Sequence, residues 1–107
     1  MAAKQGIWTI DSQGRTTFAS PDMAEILGTT AEDMAGRSSF NYVFPEDIET
    51  AQRLFQAKEN GDIDLFTFRL RRADGSAVWA SIHGTAMRGP DGAFSGVVGT
   101  FTVIDEP

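Results

Sequence analysis

The chain contains no cysteine. That absence excludes disulfides, thiolate metal sites, thiol nucleophiles and any photochemistry that bonds a chromophore to sulfur. Histidine occurs once, at His83, so an imidazole-rich metal centre is also excluded and no metal ligands are expected. Positive charge is scarce. Nine Lys and Arg stand against fifteen Asp and Glu, a net charge of -6 at pH 7. Such a chain has no basic footprint for nucleic acid and no polybasic patch for anionic lipid. No apolar run approaches bilayer length, so membrane insertion of this domain is not expected. The opening residues Met1, Ala2, Ala3, Lys4 and Gln5 lack the hydrophobic region of a secretory signal. Together these absences point to a cytoplasmic location. Repeats and low-complexity segments are absent too.

What is present suffices for one domain. A chain of 107 residues with 41% hydrophobic and 22% charged residues has the make-up of a single globular fold with one core. The expected domain is 1–107, with its ordered part over 6–104. The stretch over 65–103 organises it. Two Asp-Gly pairs, Asp74-Gly75 and Asp91-Gly92, punctuate three runs of strand-like residues. If Asp74 and Gly75 form a two-residue hairpin loop, Leu70 lies opposite Trp79, Phe68 opposite Ser81 and Phe66 opposite His83. Opposed residues share a face. One face then carries the candidate ligand-binding residues Phe66, Phe68, Trp79, Ser81, His83, Thr85, Val98 and Thr100, an aromatic and aliphatic surface with small polar groups at its middle, as ligand pockets have. The same make-up also suits an ordinary core with satisfied hydroxyls, and both readings stay open. For His83 they are a ligand partner that titrates near neutrality, or a core histidine bonded to Ser81, Thr100 or backbone.

The other face is also apolar: Leu65, Val78, Ala80, Ile82, Val97, Phe101 and Val103, with Arg69 and Arg71 at its rim. An antiparallel sheet with one wet face should alternate more cleanly. These residues are therefore the candidate interface, and a homodimer is the expected partner. Upstream, short strands over 7–10 and 15–19 flank a turn at Gly14. A helix over 21–27 follows, with Ser20 as cap and Pro21 in the first turn, then a single turn opened by Thr30. The pattern predicts the longest helix over 45–58, with Pro45 first, Gly61 as its stop, and Ile48, Ala51, Leu54 and Phe55 as its buried stripe. Two strands, a helical cluster and three strands contain no parallel crossover. The expected class is α+β, a five-stranded antiparallel sheet with helices on one face.

Enzyme chemistry finds no footing. Ser81 and His83 are neighbours on one strand with no Asp fixed behind the ring. The carboxylate pairs Glu46-Asp47 and Asp62-Asp64 fall at helix and loop ends, and the glycines fall at turns and not in a phosphate-cradling pattern.

The order of these motifs resembles the PAS family across nearly the whole chain. The resemblance is carried by the opening Gly6, Ile7, Trp8, Thr9, Ile10 and Asp11, then Gly14 and Arg15, and by Met23, Ala24, Glu25, Ile26, Leu27 and Gly28. It continues with Gly36 and Arg37, and with the helix start Phe44, Pro45, Glu46 and Asp47. It ends with Arg71, Arg72, Ala73, Asp74 and Gly75, Trp79, Asp91, Gly96 and Gly99. It implies the strand order 2-1-5-4-3. It implies a sensory or interaction module of a bacterial signalling protein, such as a histidine kinase or diguanylate cyclase, joined to an effector domain and not itself catalytic. The alternative it implies is a ligand-free dimerisation module. Haem-binding members use a histidine on the long helix, which has none here, and flavin photoreceptor members need a cysteine. No cofactor is expected, and an unknown small ligand remains open. Members commonly close the last strand with Asp-Ile-Thr, where this chain reads Val103, Ile104 and Asp105.

Overall fold

The computed structural model describes residues 4–59 and 65–107, with the side chain of Glu59 outside that set. The predicted stop at Gly61 and the pair Asp62 and Asp64 lie outside the described residues. Five strands form one antiparallel sheet: β1 Gln5–Asp11, β2 Thr16–Ala19, β3 Leu65–Arg71, β4 Ala77–Arg88 and β5 Phe94–Ile104. Their order is β2-β1-β5-β4-β3. The helical cluster is α1 Pro21–Ile26, α2 Ala31–Met34, a 3-10 turn Ser39–Tyr42, a second Pro45–Asp47, and α3 Ile48–Glu59.

The three hairpin turns share one form. In each, an N–H three residues on closes a β-turn: Gly14 onto Asp11, Gly75 onto Arg72, and Gly92 onto Gly89. Each ends on a glycine at positive φ (81°, 90° and 83°). The backbone then re-pairs across a three-residue loop, as in Arg72 N–H to the Ser76 carbonyl at 2.8 Å. This is a type I turn with a terminal left-handed residue. Asp74 sets it by accepting from the Ser76 amide (2.9 Å) and hydroxyl (2.6 Å).

That loop corrects the expected register. An Asp-Gly pair serves a two-residue loop or the end of a three-residue one, and here it does the second. Leu70 therefore pairs with Val78, Phe68 with Ala80, and Phe66 with Ile82. A shift of one residue exchanges the faces of a strand. Between β4 and β5, where a four-residue loop over 89–92 would set His83 against Val98, the offset is two, so parity is kept: His83 pairs with Thr100 and Ile82 with Phe101.

The helices cover one face of the sheet. Ser20 caps α1, its hydroxyl accepting from the Met23 amide, and Thr30 caps α2 in the same way. Met23, Leu27 and Met34 are fully enclosed, so α1 and α2 fill the space over β1 and β2. Trp8 is 4% exposed. Its ring packs edge-on against Tyr42, and its Nε1–H donates to the buried Thr16 hydroxyl at 2.9 Å. The long helix expected over 45–58 begins instead as a 3-10 turn, with α3 proper starting at Ile48. At the edge of the sheet Arg69 donates twice to Asp47 Oδ2 (3.0 and 2.7 Å) and stacks over the Phe44 ring at 4.3 Å. This clamp holds the entry of α3 against β3.

Candidate functional site

The stripe Ile48, Ala51, Leu54 and Phe55 on α3 is only half-buried, because a hollow of about 120 Å³ lies between it and the sheet. Its floor is a pair of glycines, Gly84 and Gly99, facing each other across β4 and β5. Both border the hollow. A Cβ at position 99 would stand 2.8 Å from Phe101 Cε1, so the Phe101 ring folds back over the bare backbone. The walls are aromatic and aliphatic. Trp8 and Ile10 enter from β1, Phe66, Phe68 and Leu70 from β3, Ile82 from β4, and Val97 and Phe101 from β5. Phe55 closes one end from α3, between the Phe40 ring (6.3 Å between centroids) and the Phe94 ring (5.8 Å).

Of the residues singled out from sequence as ligand-binding, Phe66 and Phe68 line this hollow. Trp79, Ser81, His83, Thr85, Val98 and Thr100 have the opposite parity and lie on the uncovered face, with His83, Thr85 and Thr100 exposed. The corrected register moves them there. The candidate interface set moves the other way. Val78, Ala80, Ile82, Val97, Phe101 and Val103 all face the helices, five of them buried or nearly so and Val103 packed beside them. Leu65 alone of that set stands on the uncovered face, 66% exposed. Ile7 and Phe18 are also exposed there, at 44% and 53%. Arg69 and Arg71 reach the helical layer, on Asp47 and on the Asn41 carbonyl.

Sequence reasoning missed Lys58. It lies on the last turn of α3, is 5% exposed, and lines the hollow. The signal was available: Lys58 follows Leu54 and Ala51 at helical spacing, on the apolar side. Gly84 makes room for it, because a Cβ there would meet Lys58 Cε at 3.3 Å. Ser39 lines it too.

A second, open hollow is lined by Asp33, Arg37, Tyr42, Arg71 and Arg72 among others. Its guanidinium groups are engaged in fastening the structure. Arg72 donates to the Ile26 carbonyl and to Ser76 and Ala77, tying the β3–β4 hairpin to α1. Arg37 donates to the Asp33 carbonyl. Burial raises the Tyr42 phenol above its ordinary value, opposed by Arg37 and aided by Asp33, so the group stays neutral. Among the described residues no cluster of three His, Asp or Glu could hold a metal ion. None of the described helices is long and apolar enough to cross a membrane.

The family model described as PAS fold matches residues 2–104, and the chain belongs to that family. It is 34% identical over 101 residues to the Sinorhizobium fredii protein y4lL, covering 94% of this chain and 12% of that one. The chain thus spans about an eighth of the length of this relative. Among solved structures it is similar to a PAS domain from Colwellia psychrerythraea (TM-score 0.85, 21% identity, 94% of this chain and 86% of that one). It is also similar to a sensory box histidine kinase/response regulator from Burkholderia thailandensis (0.74, 21%, 95% and 78%). A third is the PAS-B domain of Drosophila melanogaster Cycle with bound ethylene glycol (0.79, 17%, 92% and 99%). At these identities the likeness is one of fold.

Proposed function

We propose that this chain is the sensory module of a bacterial signalling protein, and that it takes a small, largely apolar molecule into the hollow over Gly84 and Gly99. The observation that carries this reading is the hollow itself. Aromatic walls and a pair of facing glycines bound it, and α3 spans the gap without filling it. Its volume of about 120 Å³ is far below that of pockets for drug-sized ligands, roughly 300–1,000 Å³. It compares with engineered apolar cavities of about 150 Å³ that bind benzene. The ligand is therefore compact. The reading needs neither haem nor a cysteinyl flavin, for which the sequence offers no anchoring histidine on α3 and no cysteine. Occupancy is read out through the sheet, whose other face meets an effector domain or a second copy. The similarity to a segment of the longer protein y4lL supports a place within a larger chain, and that to a sensory box histidine kinase/response regulator supports a signalling role for it.

Native mass spectrometry of protein purified from cells tests this. A retained small molecule is expected in the wild type and its loss in Ala51→Leu, which fills the hollow from α3. An empty wild-type protein whose melting point no compact apolar compound raises would overturn the reading.

A second reading is favoured by the exposure of Ile7, Phe18 and Leu65 on the uncovered face. It is a module that pairs with another copy through that face and binds no ligand. A protein that stays monomeric at millimolar concentration would remove it.

A further inference from the structure

We propose that the open hollow lined by Arg37, Arg71, Arg72 and Tyr42 binds a small phosphate monoester through its phosphate group. This hollow shares no lining residue with the one over Gly84 and Gly99, so the proposal stands whether or not that one takes a guest. Three of the nine Lys and Arg line it, in a chain whose net charge is -6. At the sheet edge Arg69 has a counterion, with Asp47 at 2.7 Å. Among the described residues no carboxylate lies within ion-pair reach of Arg37, Arg71 or Arg72. Neutral carbonyls aim their heads instead. Arg37 Nε–H donates to Asp33 (2.6 Å), Arg71 Nη2–H to Asn41 (2.9 Å) and Arg72 Nε–H to Ile26 (3.2 Å). A guanidinium carries five N–H donors, so these bonds orient each head and use only part of its fork. Both Nη groups of Arg37, Nη1 of Arg71 and Nη2 of Arg72 donate to no described residue.

A second observation is independent of these charges. Tyr42 is 7% exposed and lines the hollow, yet its hydroxyl bonds to no described residue. Among the described residues no side-chain oxygen is both buried and unpartnered, so the phenol oxygen is what Tyr42 leaves open. Burial keeps it protonated, and a protonated phenol donates. The frame is tied on both sides. Thr16 N–H donates to the Arg37 carbonyl and Ala73 N–H to the Leu27 carbonyl, each at 2.8 Å. The donors are thus held in place before a ligand arrives, which lowers the cost of binding.

Charge and shape select the ligand. Asp33 is the one carboxylate lining the hollow among the described residues. Asp74, which feels the Arg72 charge, is committed to Ser76. The surplus in the hollow is positive. A phosphate monoester carries about -1.5 to -2 charges at pH 7 and three acceptor oxygens. Three forks and a phenol match that set better than the two oxygens of a carboxylate. The volume of about 540 Å³ falls among small-molecule pockets, roughly 300–1,000 Å³. Thr29, Asp33 and Asn41 offer donors and acceptors to a hydroxylated body.

The test uses glycerol 3-phosphate and ribose 5-phosphate, with inorganic phosphate, ribose and acetate beside them. Each is titrated by calorimetry at pH 7 into the wild type, Arg37→Gln, Arg71→Gln and Tyr42→Phe. At least one monoester should bind the wild type at least about tenfold tighter than ribose or acetate, and more weakly as sodium chloride is raised. Each arginine change should weaken it about tenfold or more, and Tyr42→Phe about threefold to tenfold. Tyr42→Phe should keep its melting point, since the hydroxyl it removes holds nothing in the protein. If the arginine variants do not fold, Tyr42→Phe decides, and an affinity it leaves unchanged overturns the proposal. The proposal also fails if neither monoester binds at millimolar concentration, if acetate binds as tightly, or if the folded arginine variants bind as the wild type does. Inorganic phosphate that binds where both monoesters do not marks a site for the free ion and overturns it as well.

Discussion

The two faces of the sheet are made from alternate residues of the same strands, and they have opposite fates. Toward the helices β4 presents Val78, Ala80 and Ile82, all below 7% exposed. Away from them it presents Trp79, Ser81 and His83, half-buried or exposed. Both faces are apolar enough to look like a core in the sequence. The covered one sets Phe66, Phe68 and Phe101 beside Gly84 and Gly99. A uniformly bulky face would pack solid against α3. Here the Lys58 stem lies over Gly84 and the Phe101 ring over Gly99, and the chamber that remains is bounded by both. The pairing register decides which set of residues takes the covered face.

Removing Trp8 should do the most damage, because the ring is buried against Tyr42 and Phe101 and satisfies Thr16. Trp8→Ala is expected to lose about 3–5 kcal/mol in urea unfolding. The sharpest break of the comparison is the neighbouring pair on β4. Ile82→Ala should cost about 2–5 kcal/mol and His83→Ala less than about 0.5. A reversed order would restore the other register. At the sheet edge, Arg69→Ala loses the Asp47 bonds and the Phe44 stacking. With both side chains about 30% exposed (31% and 27%), it should cost about 1 kcal/mol in the same unfolding assay. On the uncovered face, Phe18→Ser and Leu65→Ser should leave unfolding within about 0.5 kcal/mol while lowering self-association in sedimentation. The smallest effect concerns pH. The Ser76 hydroxyl and amide hold the Asp74 carboxyl below its ordinary value. Its contribution is therefore full above the ordinary carboxylate range and fades as pH falls through the lowered folded value. Melting curves taken from pH 7 to acid should show Asp74→Asn lacking that part of the decline.

Much of the fold was legible. The caps Ser20 and Thr30 and the three glycine-ended turns follow from local chemistry that a sequence displays directly, and the strand order came with the family resemblance. The site was legible only in part. Phe66 and Phe68 came through because β3 was placed correctly. The remaining candidates hung on the length of one loop. Asp74 and Gly75 stand in sequence alike for a two-residue turn and for the end of a three-residue one, and the choice is made by Asp74 bonding Ser76. One residue of slip then carried Ile82 and His83 to the wrong sides. Lys58 went unnoticed for a different reason. Charge suggests solvent and outweighed the helical spacing from Ala51 and Leu54, and the glycine opposite it gives its stem somewhere dry to lie.

The central claim is that the chamber lies over Gly84 and Gly99 and opens to a compact guest. Methyl spectra recorded under increasing xenon pressure test it most directly. Saturable shifts at Ile82, Val97, Leu54 and Val43, with Ile7, Val98 and Ile104 unmoved, are the predicted result. Methyl shifts on the uncovered face alone, or none that saturate, would contradict it.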